Sequence, residues 1–122
     1  MIGTGNRVKY TGIINLKLRK MKTKVSNMTS SRGNTIANQF EITTEKGVFF
    51  QSYDSIIAFI PKNHPRTVTS ATPPGWRIKL DKRTWDYSVT TGKYRNQFLG
   101  ESKKETEQKI KDGIYILTDL NK

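Results

Sequence analysis

The segment from Phe40 to Pro61 constrains the fold most. Phe40, Ile42 and Thr44 alternate with Gln39, Glu41 and Thr43. A turn at Glu45, Lys46 and Gly47 follows, and Val48 to Tyr53 returns as a second extended stretch. Side chains that alternate across a pleat on both sides of a glycine-containing turn specify a β-hairpin. Ser55 to Ile60 then forms a short apolar, β-branched run closed by Pro61, of the length and composition of a buried strand. A helix through this region would scatter the apolar residues around its circumference, so the chain is committed to a sheet.

Earlier, Arg7 to Leu18 alternates apart from Gly12 and Ile13. Val8, Tyr10, Ile14, Leu16 and Leu18 fall on one side, with Arg7, Lys9, Thr11, Asn15 and Lys17 on the other. This is the period of a half-buried strand with a basic outer face. Ile14, Leu18, Met21 and Val25 also fit helical spacing, which keeps a helix in competition there. Ser26 to Asn34 is polar and aperiodic and reads as a mobile loop, and Pro61 to Gly75, with four prolines, reads as a long irregular excursion.

Trp76, Ile78 and Leu80 predict a further strand, and Trp85, Tyr87 and Val89 continue its period beyond a turn at Asp81 to Arg83. Thr90 or Thr91 caps a short helix carrying Tyr94 and Phe98 on one face and ending at Gly100. Ser102 with Glu105 forms a capping box for a second helix that stops at Gly113, and Ile114 to Thr118 is a final strand. The expected class is α+β, a mainly antiparallel β-sheet with two short C-terminal helices. One domain over 1–122 suits the length, with 1–35 a basic N-terminal extension of strand plus mobile loop, and 36–122 the core containing the irregular loop 61–75.

Charge narrows the function. The chain has 22 Lys plus Arg against 10 Asp plus Glu, a net +12, and Met1 to Phe40 contains no acidic residue at all. A solvated surface ordinarily mixes both signs. An excess segregated in this way makes a directional field that attracts polyanions, with the phosphate backbone of DNA or RNA the leading partner. The candidate phosphate-contacting residues are Arg7, Lys9, Lys17, Arg19, Lys20, Lys22, Lys24 and Arg32, followed by Arg77, Lys79, Lys82, Arg83, Lys93 and Arg95. Cations interleave with aromatics from Trp76 to Phe98, which makes Trp76 and Trp85 candidates for stacking on bases, against the plainer alternative that both are core.

Catalysis has little support. Cysteine is absent, and the single His64 lies among prolines. No phosphate-binding glycine loop, nucleophile elbow or zinc-helix motif occurs. Asp81 and Asp86 read as partners for Lys82 and Arg83 rather than as a metal site. No catalytic residue, metal or cofactor is expected. No apolar stretch approaches the roughly 20 residues needed to cross a bilayer. The alternation after Lys9 is unlike a secretory leader, so no secretory signal is expected, and without a spanning stretch the protein is expected to be soluble or at most peripheral, with no membrane partner.

From Ser30 to Asn121 the chain resembles a family of short proteins of unknown function encoded by bacteriophages and mobile elements. The residues that carry the likeness are Arg32 to Asn34 with Ala37 to Phe40, Gly47 to Ala58, Trp85 to Thr91 with Lys93 to Gly100, and Tyr115 to Asn121. The resemblance implies a phage-like origin and a setting in the host-cell cytoplasm or the virion, and supplies no site residue. The expectation is a non-catalytic nucleic-acid-binding protein of low sequence specificity. The alternatives are a virion structural or accessory protein, and a small inhibitor docking on a host polymerase or defence factor. Oligomeric state is left open.

Overall fold

The computed structural model of the protein describes residues 23–122. Six strands form one sheet: β1 (Lys24–Thr29), β2 (Thr35–Thr44), β3 (Gly47–Ser52), β4 (Ser55–Pro61), β5 (Lys79–Asp81) and β6 (Ile116–Thr118). They lie side by side in chain order, antiparallel except for the parallel β5–β6 pair. Parallel neighbours need a crossover. That crossover carries helices α1 (Val89–Leu99) and α2 (Lys103–Lys111). The class is α+β, as expected.

The β2–β3 hairpin turns on Glu45 and Lys46, with Thr44 opposite Gly47. Gly47 sits at φ +149°, and a Cβ there would collide with the Ile60 carbonyl oxygen and lie 2.8 Å from the Phe59 ring. Only glycine allows β4 to pass this close. β3 and β4 join through Tyr53 and Asp54, with Tyr53 left-handed and its N–H donating 2.7 Å to the Asn38 carbonyl.

Several regions differ from the sequence expectation. Ser26 to Asn34 is not a mobile loop. It supplies most of β1 and then a tight turn, in which Ser30 N–H donates to Asn34 O at 2.8 Å and Gly33 N–H to Ser30 O at 2.9 Å. Among the described residues β1 is an edge strand that buries only Met28, so it needs almost none of the apolar alternation that marks an interior strand. The expected strand through Trp85, Tyr87 and Val89 is likewise absent. Residues 82–87 form turns and Val89, 91% exposed, opens α1. The cause is Asp81, whose carboxylate accepts from the N–H groups of Arg83 and Thr84 and so folds the chain back just where the strand would continue. Shorter strands than expected also appear at Lys79–Asp81 and Ile116–Thr118, with Trp76 in a 3₁₀ turn over Pro74–Trp76.

The helices cover one face of the sheet. Phe50 stacks on Phe98 with ring centroids 5.6 Å apart, and Ser52 Oγ lies 3.0 Å from Thr91 Oγ1. Around them the core gathers Met28, Phe50, Ile57, Ala58, Ile78, Leu80, Tyr94 and Tyr115. Glu101 fixes the end of this layer, accepting from Thr106 Oγ1 at 2.6 Å, Lys109 Nζ at 2.6 Å and Tyr115 Oη at 2.8 Å. Burial and the Glu101 carboxylate push the Tyr115 phenol well above its ordinary pKa, so it stays a donor at every physiological pH.

Both helix ends follow capping chemistry. Gly100 takes the left-handed conformation that closes α1, and Ser102 with Glu105 completes the capping box of α2. The N-cap of α1 is Ser88, not Thr90 or Thr91; its Oγ accepts from Thr91 N–H at 3.1 Å. Ser88→Ala should therefore lower stability by about 1 kcal/mol, while Thr90→Ala, on the exposed first turn, should change it by less than about 0.5 kcal/mol. Equilibrium urea denaturation of the two variants distinguishes the caps.

Candidate nucleic-acid interface

Because Phe50 and Ser52 point to the helices, Phe49 and Gln51 point to the opposite face. Register aligns a row on that face through all six strands: Val25, Ile42, Phe49, Phe59, Lys79 and Ile116. Phe49 and Phe59 touch, with ring centroids 4.4 Å apart and planes tilted by 33°. Val25 is 60% exposed, and the other members of the row are half-buried. The helices lie on the other side of the sheet, so among the described residues neither α1 nor α2 covers this row.

Cations collect at one end of the same sheet. Lys46 occupies the β2–β3 turn, and Lys62 follows β4 with its N–H donating 2.8 Å to the Lys46 carbonyl. Lys24 lies opposite Thr43, next to that turn. Lys79 pairs with Phe59 and donates 2.8 Å to the Pro74 carbonyl; partial burial, then nearby Arg77, push its pKa down. Among the described residues, none of these four lysines pairs with a carboxylate. An open cleft of about 620 Å³ lies at this end, lined by Glu45, Lys46, Phe59, Pro61, Lys62, Asn63 and Gly75. Trp76, beside Gly75, is 45% exposed.

The expected contact residues divide. Lys24, Lys79, Arg77 and Trp76 lie at or near the basic end, although Arg77 Nη1 is committed to the Gly113 carbonyl at 2.6 Å. Arg32 in the β1–β2 turn, and Lys82 and Arg83 after β5, are exposed at the opposite end. Lys93 is exposed on α1 and sits 5.4 Å from the Tyr94 ring centroid. Arg7, Lys9, Lys17, Arg19, Lys20 and Lys22 lie outside the described residues.

Arg95 does not belong to a surface. It is 1% exposed, donating to Trp85 O at 2.6 Å and Asn96 Oδ1 at 2.9 Å, with Asp86 at 3.6 Å. Burial lowers its pKa, partly offset by Asp86. Trp85 is half-buried against the core, with the Arg95 guanidinium 5.2 Å from its ring centroid, so it is not an open stacking surface. Helical spacing hid this, because a charged residue inside an interleaved run looks external until Asp86 and the Trp85 carbonyl are placed around it. The two aspartates also differ from expectation: Asp86 bridges Lys103 at 2.9 Å and Arg95, and Asp81 accepts from backbone N–H groups, that of Arg83 included, and from Thr84 Oγ1, so among the described residues neither forms an ion pair with the Lys82 or Arg83 side chain.

Sequence reasoning missed Phe49, Phe59, Lys46 and Lys62. A signal was present, since the consecutive apolar residues of Val48 to Phe50 and Ile56 to Ile60 place apolar side chains on both faces of the sheet. His64 turns its Nδ1 to the Trp76 carbonyl at 3.1 Å, a structural contact of the excursion. No group of three or more His, Cys, Asp or Glu among the described residues could hold a metal ion, and no helix there is long and apolar enough to cross a membrane.

Residues 23–113 match a family of unknown function, DUF8033, and the chain belongs to that family. The match takes in β1, which the resemblance read from Ser30 onward had left out. No curated protein and no solved structure matches the chain.

Proposed function

We propose that this DUF8033 member is a non-catalytic nucleic-acid-binding protein whose affinity comes mainly from phosphate contacts and carries little sequence specificity. The observation that supports it is the meeting of two features at one end of the sheet. Lys46, Lys62 and Lys79 gather there beside Phe59, with Lys24 at the same end of the sheet on β1, and the sequence up to Phe40 carries no acidic residue to offset them. Unpaired lysines are point charges suited to phosphate, and releasing its counterions supplies sequence-independent affinity. The setting we propose is a bacteriophage or mobile element, in the host-cell cytoplasm or the virion.

Purification with and without nuclease treatment tests the proposal. Untreated protein should carry nucleic acid, visible as excess absorbance at 260 nm, and treated protein should rebind unrelated DNA and RNA sequences with similar affinity at about 50 mM salt. Incubation with magnesium or manganese should leave the bound strands intact. Undetectable binding at that salt would defeat the proposal and favour a protein partner. Cleavage that disappears in Asp86→Asn would defeat the non-catalytic part.

A further inference from the structure

We infer that the cleft beside Phe59 receives one unpaired nucleotide, so that single-stranded nucleic acid is the substrate class; this rests on the nucleic-acid binding proposed above. The cleft has an aromatic wall in Phe59, a side-chain-free edge at Gly75, and lysines 46 and 62 together on its rim. Phe49, in contact with Phe59, continues the aromatic surface onto the sheet. An unpaired base offers an exposed π-face to such a wall while its phosphate reaches the rim cations. In a duplex the base faces are already occupied by neighbouring base pairs, so a duplex can use the lysines and not the ring.

The charges decide among occupants. Among the described residues, the lysines of this end are unpaired, and Glu45 is the only carboxylate lining the cleft. A second copy of the chain would bring the same excess of positive charge against it, which opposes close approach. Asn63 is the one lining side chain able to read a base edge with both a donor and an acceptor. One such group permits at most a slight base preference, in keeping with recognition by stacking.

Fluorescence anisotropy with a labelled 20-nucleotide strand and its duplex, at matched salt, is the test. The single strand should bind about tenfold more tightly, the factor that one or two stacked bases supply. Phe59→Leu should remove that preference while leaving duplex affinity unchanged, and Phe59→Tyr should retain it. Phe59 also packs over Gly47, so its removal threatens the fold. Photocrosslinking of the unaltered protein to a strand containing 5-bromouracil therefore gives a second readout, with crosslinks expected at Phe49 or Phe59. Equal affinity for strand and duplex, or crosslinks confined to the N-terminal segment and the helices, would overturn the inference while nucleic-acid binding stood. Failure to bind either form would remove both.

Discussion

Asp81→Ala is expected to cost about 3 kcal/mol or more of folding stability, a large part of what a domain of this size has. The residue is 1% exposed at the end of β5. Its Oδ2 accepts from Arg83 N–H at 3.1 Å, Thr84 N–H at 2.9 Å and Thr84 Oγ1 at 2.8 Å, and its Oδ1 from Leu120 N–H at 2.8 Å. One carboxylate thus ties the turn after β5 to the C-terminal residues beyond β6. Truncation leaves three backbone donors without that acceptor, and charge-assisted bonds are the costly ones to lose. Asp81→Asn keeps the shape but turns an NH₂ toward a donor, so it should still destabilise, by less.

Acid should reveal the same group. Burial pushes the Asp81 carboxyl up, but the hydrogen bonds from Leu120, Thr84 and Arg83 outweigh it and hold the pKa below the ordinary value. A depressed pKa in the folded state contributes stability that is complete above the unfolded value, about 3.9, and is lost as pH falls through the folded one. Denaturant midpoints from pH 7 to pH 3 should fall for the wild type and fall less for Asp81→Asn. An Asp81→Ala variant as stable as the wild type would show that the carboxylate is not what holds the C-terminal residues.

The second large effect concerns binding. Replacing Lys17, Arg19, Lys20, Lys22 and Lys24 by Gln keeps approximate side-chain length and removes five charges from the segment leading into and opening β1. Every phosphate of a single strand that the protein ceases to neutralise removes about 0.7 from the slope of log K against log salt. Several such phosphates together should lower affinity by about a hundredfold or more near 0.1 M salt. Lys24→Gln alone should hardly move the midpoint of thermal unfolding, since Lys24 is exposed and has no carboxylate partner among the described residues. A variant that bound as tightly as the wild type would exclude this segment from the interface.

What the sequence disclosed was local. The hairpin at Glu45 to Gly47, the left-handed Gly100 and the Ser102–Glu105 capping box depend on residues within a few positions of one another, and all three stand in the structure. Three other features were hidden because their causes are distant or unusual. β1 is so polar that only its pairing with β2 makes it a strand. The turn at 82–87 follows from a carboxylate whose other oxygen is held by Leu120. Arg95 is interior because Trp85, Asp86 and Asn96 surround it. The site was half legible for the same reason. Segregated charge can be counted along the chain, but the meeting of Lys46, Lys62 and Lys79 beside Phe59 depends on register across the sheet, from the turn that opens β3 to the start of β5.

The most direct measurement of the central claim is the salt dependence of single-strand affinity for two sets of lysine variants. In one, Lys24, Lys46, Lys62 and Lys79 become Gln; in the other, Lys104, Lys111 and Lys122, exposed on or beyond α2, do so. General loss of positive charge weakens binding from either position through the long-range field, so the slope carries the distinction. If phosphates sit at the basic end of the sheet, the first set should lower the magnitude of the slope by about 0.7 for each phosphate no longer neutralised, and the second should leave it nearly unchanged. Equal reductions in both sets, or an unaltered slope in the first, would contradict the placement of the interface.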